Sequence, residues 1–262
     1  ICPPGFILDG TGSCLFAEKN ISLEYFNALL NSKVASILLE YISPTVSFEV
    51  GHIKKIPLKI ANTTTHEAIS AEATKYSKED WDASEESWDF TKSPFIKSYP
   101  DGNLISQAWQ ENNETTNRNI NNLALLETKN NALFIDEYGL QDELSPSVPE
   151  DQITLTRPDR EKDCQRLMSY AIGCMMGRYS LDEPGLIYAH AGNVGFDPTR
   201  YTQFPADADG ILPLTETHWF PDDTAARVRE FVRAVWGPDT LEENLAWLAE
   251  SLGQKTGETP DE

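Results

Sequence analysis

Two adjacent lysines next to a glycine are the residues of this sequence best suited to contact phosphate groups. Lys54 and Lys55 follow Gly51 and His52. A lysine ammonium neutralises a phosphate as a point charge, and hydroxyl or imidazole groups add polar contacts. The predicted nucleic-acid-binding residues share these chemistries, and they are Lys33, Ser47, His52, Lys54 and Lys55. The alternative, that the lysine pair is an ordinary part of a surface loop, stays open.

The distribution of charge restricts where DNA could bind. The chain has a net charge of −21, but residues 1–60 carry five acidic and five basic side chains and are neutral. Residues 61–150 have a net charge of −11 and residues 151–262 a net charge of −10. Binding to phosphates requires a local excess of Lys and Arg. Only the first segment is therefore predicted to lie near DNA.

The elements that would position these residues follow from the apolar pattern. Apolar residues at three- and four-residue spacing predict a helix over about 22–42, with Ser22 as its N-cap and Pro44 as its stop. Residues 45–50 alternate between polar and apolar, which is typical of a half-buried strand. Residues 5–17 predict a small hairpin around glycines.

The rest of the chain is predicted to be mostly helical. The fold class is α+β, predominantly helical, with small β elements near the N-terminus and around 185–214. The predicted helices cover about 65–90, 122–139, 160–179, 222–236 and 240–252. In the helix over 160–179, Gly173 and Gly177 are expected to let another backbone approach closely.

Two prolines between Glu143 and Asp151 predict a domain boundary near residue 150. The predicted segments are an N-terminal domain over 1–62, a helical spacer over 63–150, a C-terminal helical domain over 151–252 and a disordered tail over 253–262. The polar stretch over 111–122 is either a solvated helix face or a linker.

An acidic segment over 78–90 contains two tryptophans and could be imagined as a paired-carboxylate or cation site. Trp81 and Trp88 are seven residues apart, which on a helix places them on one face. This spacing favours anchoring in the core, with the carboxylates in solvent, over catalysis.

No catalytic, cofactor-binding or metal-binding residue is predicted. The stretch over 207–210 resembles the start of a calcium loop but lacks the required glutamate, so a turn is the better interpretation. The four histidines form no pattern typical of a catalytic triad. The four cysteines lie in two distant pairs, which favours reduced thiols over a disulfide or metal.

The class of protein is bounded by what the sequence lacks. No stretch approaches the roughly 20 apolar residues of a membrane span, so we expect a soluble, cytoplasmic protein with no membrane partner. The chain begins at Ile1 without a start methionine or a signal peptide, and we expect it to be a fragment of a longer polypeptide.

Several stretches, in order along nearly the whole chain, resemble one family, the adenine-specific methyltransferase of BREX phage-defence systems, called PglX. The stretches are Pro4–Asp9, Lys78–Asp82, Glu86–Phe90, Phe134–Leu144, Ser169–Asp182 and Phe204–Asp207. In addition, residues 29–57 resemble the closing element of a target-recognition domain in adenine-specific DNA methyltransferases.

The resemblance implies a C-terminal part of such an enzyme, with residues 1–62 as the end of its target-recognition domain. The family methylates adenine N6 with S-adenosylmethionine, so the implied partners are double-stranded DNA, the upstream methyltransferase domain and other BREX components. The Asn-Pro-Pro-aromatic tetrapeptide is absent, because Cys2-Pro3-Pro4-Gly5 lacks its first and last residue types. The cofactor loop is not found either, so no cofactor is expected in this fragment.

A second function stays open beside this one. The acidic surface is also typical of a protein–protein interaction module that docks other defence-system components without reading DNA.

Overall fold

The computed structural model describes residues 14–16, 22–43, 48–96, 104–214 and 219–259, and this part of the chain is helical without any β-strand. The chain forms two compact units, the first from Ile1–Lys78 and Arg118–Leu155 and the second from Glu79–Asn117 and Thr156–Glu262. The α-helices are α1 (Leu23–Leu30), α2 (Lys33–Ile42), α3 (Val50–Ile53), α4 (Thr63–Asp82), α5 (Ile105–Tyr138), α6 (Arg160–Met175), α7 (Thr224–Trp236) and α8 (Leu241–Ser251). Short 3-10 turns lie at Glu150–Gln152, Ala191–Asn193 and Pro198–Arg200.

Side-chain caps determine where several helices begin. Ser22 accepts a hydrogen bond from the Tyr25 backbone N–H at 3.2 Å and starts α1. Ser32 does the same for α2, and its hydroxyl donates to the Leu29 carbonyl at 2.7 Å. The single helix predicted over 22–42 is therefore two helices, because the buried Ser32 ends one and caps the next.

The core of the first unit joins the N-terminal helices to the end of α5. Phe134 and Ile135 of α5 pack among buried apolar residues, namely Tyr25, Ala28, Leu29, Val34, Ala35, Leu39 and Ile56. A smaller cluster in this unit combines Ile120 and Leu123 with Ile153 and Leu155. The apolar stripe of α1 and α2 thus positions the loop that contains Ile56.

A buried histidine, His66 of α4, ties three helices of the first unit together. Its ring is fully buried and stacks on Phe134 with centroids 3.8 Å apart. Its Nδ1 lies 3.0 Å from Asn130 Oδ1, and its Nε2 lies 3.1 Å from Glu137 Oε1. Asn130 in turn donates to the Ala28 carbonyl of α1 at 2.8 Å.

The hydrogen-bond directions in this network follow from Asn130. Only its amide nitrogen can donate to the Ala28 carbonyl, so its oxygen accepts and His66 Nδ1 carries a hydrogen. His66 Nε2 therefore shares one further proton with the Glu137 carboxylate, whose side chain is 6% exposed. The other oxygen of Glu137 is buried and has no hydrogen-bond partner among the described residues. Burial, with a contribution from Glu137, raises the pKa of neighbouring Tyr25 to about 12.

The second unit is built around α6, which packs against α7 and α8. One large cluster contains Leu167, Tyr170 and Met175 of α6 together with Phe231 and Trp236 of α7 and Leu245 of α8. The buried Asn244 of α8 accepts a hydrogen bond from the first backbone N–H of α5, at Ile105, over 2.7 Å. The thiol of Cys174 lies in this core, and burial raises its pKa to about 12.

Gly173 of α6 lies against an aromatic ring. A methyl group at this position would come within 2.5 Å of Cδ2 and 2.8 Å of Cε2 of Tyr179. The Tyr179 ring is itself buried and stacks on Tyr170 with centroids 5.2 Å apart. The sequence correctly indicated a close approach at Gly173, but a side chain makes it, not a backbone.

The predicted β elements are wrong wherever the structure describes them. Between 185 and 214, side-chain carboxylates and not a neighbouring strand satisfy several backbone N–H groups. Asp182 accepts from the Thr202 N–H at 2.7 Å, and Asp207 accepts from the N–H groups of residues 209–211 at 2.8–3.2 Å. The turn expected at 207–210 is therefore present. Residues 5–13 and 17 of the predicted hairpin and 45–47 of the predicted strand lie outside the described residues, and Val50 begins a helix.

The predicted core position of Trp81 and Trp88 is also wrong. The helix that would place them on one face ends at Asp82, and the two indoles are 55% and 96% exposed. A series of turns, not a helix, contains Trp88.

In the described part of the chain, no helix is both long and apolar enough to cross a membrane. The two units combine distant parts of the chain, whereas the predicted boundaries near 62, 150 and 252 divide it into consecutive segments. Those boundaries stay a prediction.

We expect His66→Phe to lower the free energy of unfolding by about 3 kcal/mol, because it leaves the buried Glu137 carboxylate and the Asn130 oxygen without their ring partner. The substitution retains an aromatic ring against Phe134, which isolates the loss of the two hydrogen bonds. Urea unfolding measures the effect. Glu72→Gln, at an exposed position of the same helix, is the control and should change stability by less than about 0.5 kcal/mol. Equal effects of the two variants would contradict the assigned network.

We expect Gly173→Ala to destabilise the second unit by about 1–2 kcal/mol, because the clash with the packed Tyr179 ring exceeds the gain in helix propensity. Thermal unfolding followed by circular dichroism measures this change. Gly51→Ala is the matched control, since nothing lies within 4 Å of the added methyl. A stabilised Gly173→Ala protein would show that the ring moves aside.

Candidate nucleic-acid interface

The lysine pair predicted to contact phosphates lies on a turn that is fastened to the first unit. We call residues 54–59 the basic turn. Ile56 is buried against Phe134 and Ile135. The Pro57 carbonyl accepts a hydrogen bond from the Tyr138 hydroxyl, and the Lys59 carbonyl accepts one from Tyr25 at 2.7 Å. These anchors hold the backbone directly after the exposed lysines.

Lys59 is a third lysine of the basic turn that the sequence analysis did not single out. Its ammonium donates to the Glu137 carbonyl at 2.8 Å and lies 5.5 Å from the centre of the Tyr138 ring. It therefore satisfies a carbonyl at the end of α5, where the helix dipole favours a cation. Its spacing from Lys54 and Lys55 within one short run is the signal that could have drawn attention to it.

Lys54 and Lys55 differ from Lys59, which is also exposed, in the contacts of their ammonium groups. Lys54 is the C-cap of α3, and Lys55 follows it in the turn before Ile56. Within the described part of the chain, neither ammonium forms an ion pair or a side-chain hydrogen bond. Both charges are therefore available to an anionic ligand, and together they could neutralise two phosphates.

His52 lies beside the lysines and is held by its own helix. Its Nδ1 accepts a hydrogen bond from the Glu49 backbone N–H at 3.2 Å, and the Glu49 side chain accepts one from the backbone N–H of His52. This reciprocal capping box fixes the half-buried ring. Because Nδ1 accepts, the neutral ring carries its hydrogen on Nε2, which remains a potential donor to phosphate.

Lys33 is engaged inside the first unit and is not grouped with the basic turn. Its ammonium donates to the Ser145 carbonyl at 3.1 Å and to the Ser147 carbonyl. Its backbone N–H donates to Asn131 Oδ1 at 2.9 Å. These contacts give Lys33 a structural role, so its phosphate contact stays a prediction. Ser47, the remaining predicted residue, lies outside the described residues.

The chemistry available to this site is that of positioning, not catalysis. Two ammonium groups and one imidazole N–H can hold a phosphate backbone, but the turn presents no amide or guanidinium group suited to reading base edges. In the described part of the chain, no group of three or more His, Cys, Asp or Glu side chains could hold a metal ion.

A cavity of about 400 Å³ lies on the outer face of α6 in the second unit. Its lining is mainly apolar and includes Met168, Ile172, Met176 and Leu252, together with Ser169 and Arg178. Among the described residues that line it there is no acid–base pair, so this lining offers no catalytic arrangement.

The chain is similar in sequence to known adenine-specific methyltransferases. No family model matches the chain. It is 37% identical to the adenine-specific methyltransferase BrxX of Escherichia coli O9:H4 (strain HS), over 95% of its own length. It is 34% identical to the adenine-specific methyltransferase PglX of Lacticaseibacillus casei (strain Zhang), over 99% of its length. In both cases the matched region is 22% of the relative.

The match extends across both compact units, so it does not depend on any single motif. The resemblance to PglX predicted from six short stretches is confirmed. The chain is homologous, over nearly its whole length, to a segment of the adenine-specific methyltransferases BrxX and PglX.

Proposed function

We propose that this chain is the DNA-contacting and scaffolding C-terminal region of an S-adenosylmethionine-dependent N6-adenine DNA methyltransferase of a BREX phage-defence system. The observation that carries the proposal is the basic turn, which presents Lys54 and Lys55 to solvent on an anchored backbone. Relatives at 34–37% identity are adenine-specific methyltransferases, so a phosphate-binding surface has an expected substrate in DNA.

Within this proposal the basic turn contributes affinity and register, not the choice of sequence. Phosphate contacts position a protein on the duplex, whereas base contacts specify the site. The chain spans about 22% of its relatives, and the groups that read bases and transfer the methyl group would come from the rest of such an enzyme. The partners are then duplex DNA and the methyltransferase domain, and the location is the cytoplasm.

The acidic composition supports a second candidate, an interaction module that docks other defence-system proteins without touching DNA. The net charge of −21 repels a polyanion except where lysines are locally concentrated. The two candidates differ in one measurement. A DNA-contacting surface gives an affinity that falls steeply with salt, whereas a docking module leaves duplex DNA unbound at any salt concentration.

We expect Lys54→Ala/Lys55→Ala to weaken binding of the chain to duplex DNA, and to make the slope of log Kobs against log salt shallower by about 2, one unit for each lost phosphate contact. Fluorescence anisotropy of a labelled duplex at several salt concentrations measures both quantities. The matched control is Lys92→Ala/Lys129→Ala, which removes two exposed lysines elsewhere and changes the net charge equally. If both double variants lose the same affinity, the effect reflects overall charge and the site is wrong.

We expect the chain alone not to bind S-adenosylmethionine, because the cofactor loop and the adenine-binding tetrapeptide were not found in its sequence. Isothermal titration calorimetry measures this directly, with a longer polypeptide that includes a methyltransferase domain as the positive control. Micromolar binding to the chain would relocate the cofactor site into this segment and contradict the proposed division of roles.

A further inference from the structure

The second unit exposes an apolar surface next to the end of α4. Trp88 is 96% exposed and Trp81 is 55% exposed. Of the other tryptophans of this unit, Trp236 is buried in the core and Trp247 stacks beneath Arg160 at 4.6 Å, whereas Trp219 is exposed like Trp81 and Trp88. An indole left in water forfeits the stabilisation that burial would provide, so two exposed indoles in one short segment require an explanation.

The segment that presents Trp88 is held in place by short-range hydrogen bonds. The Ser84 N–H donates to the Trp81 carbonyl at 3.1 Å, so a turn follows directly after the helix. The Ser87 hydroxyl donates to Asp82 Oδ1 at 2.7 Å and accepts from the Asp89 N–H at 3.1 Å. Asp82, which follows Trp81, and Ser87, which precedes Trp88, are therefore in direct contact. We call residues 79–90 the tryptophan surface.

The far end of the tryptophan surface is fixed in the core. Phe90 is buried and packs edge-on against Tyr170 and Tyr179, with ring centroids 5.8 and 5.3 Å apart. The next carbonyl, at Thr91, accepts a hydrogen bond from the Gly185 N–H at 2.8 Å. Trp88 is thus displayed between two anchored residues, Ser87 and Phe90, and its exposure is built into the fold.

The charged side chains within residues 79–90 all have one sign. Residues 79–90 contain six carboxylates and no Lys or Arg. Asp80 accepts hydrogen bonds from the Thr156 N–H and hydroxyl. Burial, with a contribution from nearby Glu85, raises the pKa of Tyr179, so Asp80 and Glu85 both face the unit itself. The other members include three that are exposed to solvent, namely Glu79, Glu86 and Asp89.

From this combination we propose that the tryptophan surface docks a Lys- and Arg-rich segment of a partner protein. An indole face binds a guanidinium or ammonium through cation–π attraction, and Trp and Arg are the residue types most enriched at the centres of interfaces. The surrounding carboxylates attract a cationic segment and accelerate its association.

The same charges argue against the other occupants. A second copy of this chain, with a net charge of −21, would bring like charges together. Nucleic acid is repelled for the same reason. The lysine pair of the basic turn belongs to the first unit, so this proposal is independent of the proposed contact with DNA.

The probe is a fluorescein-labelled peptide in which six arginines alternate with serines, and its counterpart with glutamine in place of arginine reports binding that does not need charge. We expect the arginine peptide to bind the chain saturably and Trp88→Ser to weaken binding about tenfold. The matched control is Trp219→Ser, which removes another exposed tryptophan, 78% exposed, and should leave the affinity unchanged.

Two further variants separate docking from general charge attraction. Glu86→Gln should weaken binding, whereas Glu72→Gln, an exposed carboxylate outside the surface, should not. Lys54→Ala/Lys55→Ala should bind the peptide as tightly as the parent chain, whatever its effect on DNA. The indole N–H signal of Trp88 in nitrogen-edited NMR spectra should shift on addition of the peptide.

Trp88→Ser should unfold at the same temperature as the parent chain, because so exposed a side chain contributes little to packing. Equal loss in the Trp88 and Trp219 variants, or no saturable binding, overturns the proposal. Self-association of the chain that Trp88→Ser abolishes also overturns it, because a second copy would then occupy the surface.

Discussion

The first unit depends on a buried imidazole whose two nitrogens are both hydrogen-bonded. His66 joins α4 to α5 through Asn130 and Glu137, and Asn130 extends the connection to the backbone of α1. Unlike apolar packing, which tolerates small shifts, these contacts have defined lengths and directions. They therefore fix the register of α5 against α1 and α4, and with it the positions of Phe134 and Tyr138.

The position of α5 also determines the position of the candidate interface, because the basic turn is hydrogen-bonded to the end of α5. Glu137 takes part twice, since its carboxylate meets His66 and its backbone carbonyl accepts from Lys59. Of the four lysines that the structure describes among residues 1–60, Lys33 and Lys59 satisfy carbonyl groups of the fold, and Lys54 and Lys55 remain in solvent. A count of positive charge from sequence treats the four as equal, whereas the hydrogen bonds divide them into structural and available cations.

Local signals in the sequence predicted most helices but not what interrupts them. The helix predicted over 222–236 is α7, and Asp223 accepts the hydrogen bond that caps its start. Ser32 is likewise of a residue type that favours the N-cap position, but the apolar pattern continues across it and predicts one helix in place of two. Trp88 was misplaced because seven-residue spacing indicates one face only if the helix continues, and the Ser87–Asp82 hydrogen bond replaces the helix with turns. The His66 network joins residues more than 60 positions apart, so no local pattern could indicate it.

The charge of the chain has different consequences in the two units. In the first unit, Lys54 and Lys55 are exposed side by side on one anchored turn of an acidic chain, so a contact with DNA at this turn would involve few phosphates and would be sensitive to salt. In the second unit, the carboxylates of the tryptophan surface divide between fixing the backbone and facing solvent. A surface whose acidic residues served only solubility would need no indoles among them, and the packed tryptophans show that the fold can bury this residue type. The exposed pair is better explained by a partner than by the requirements of folding.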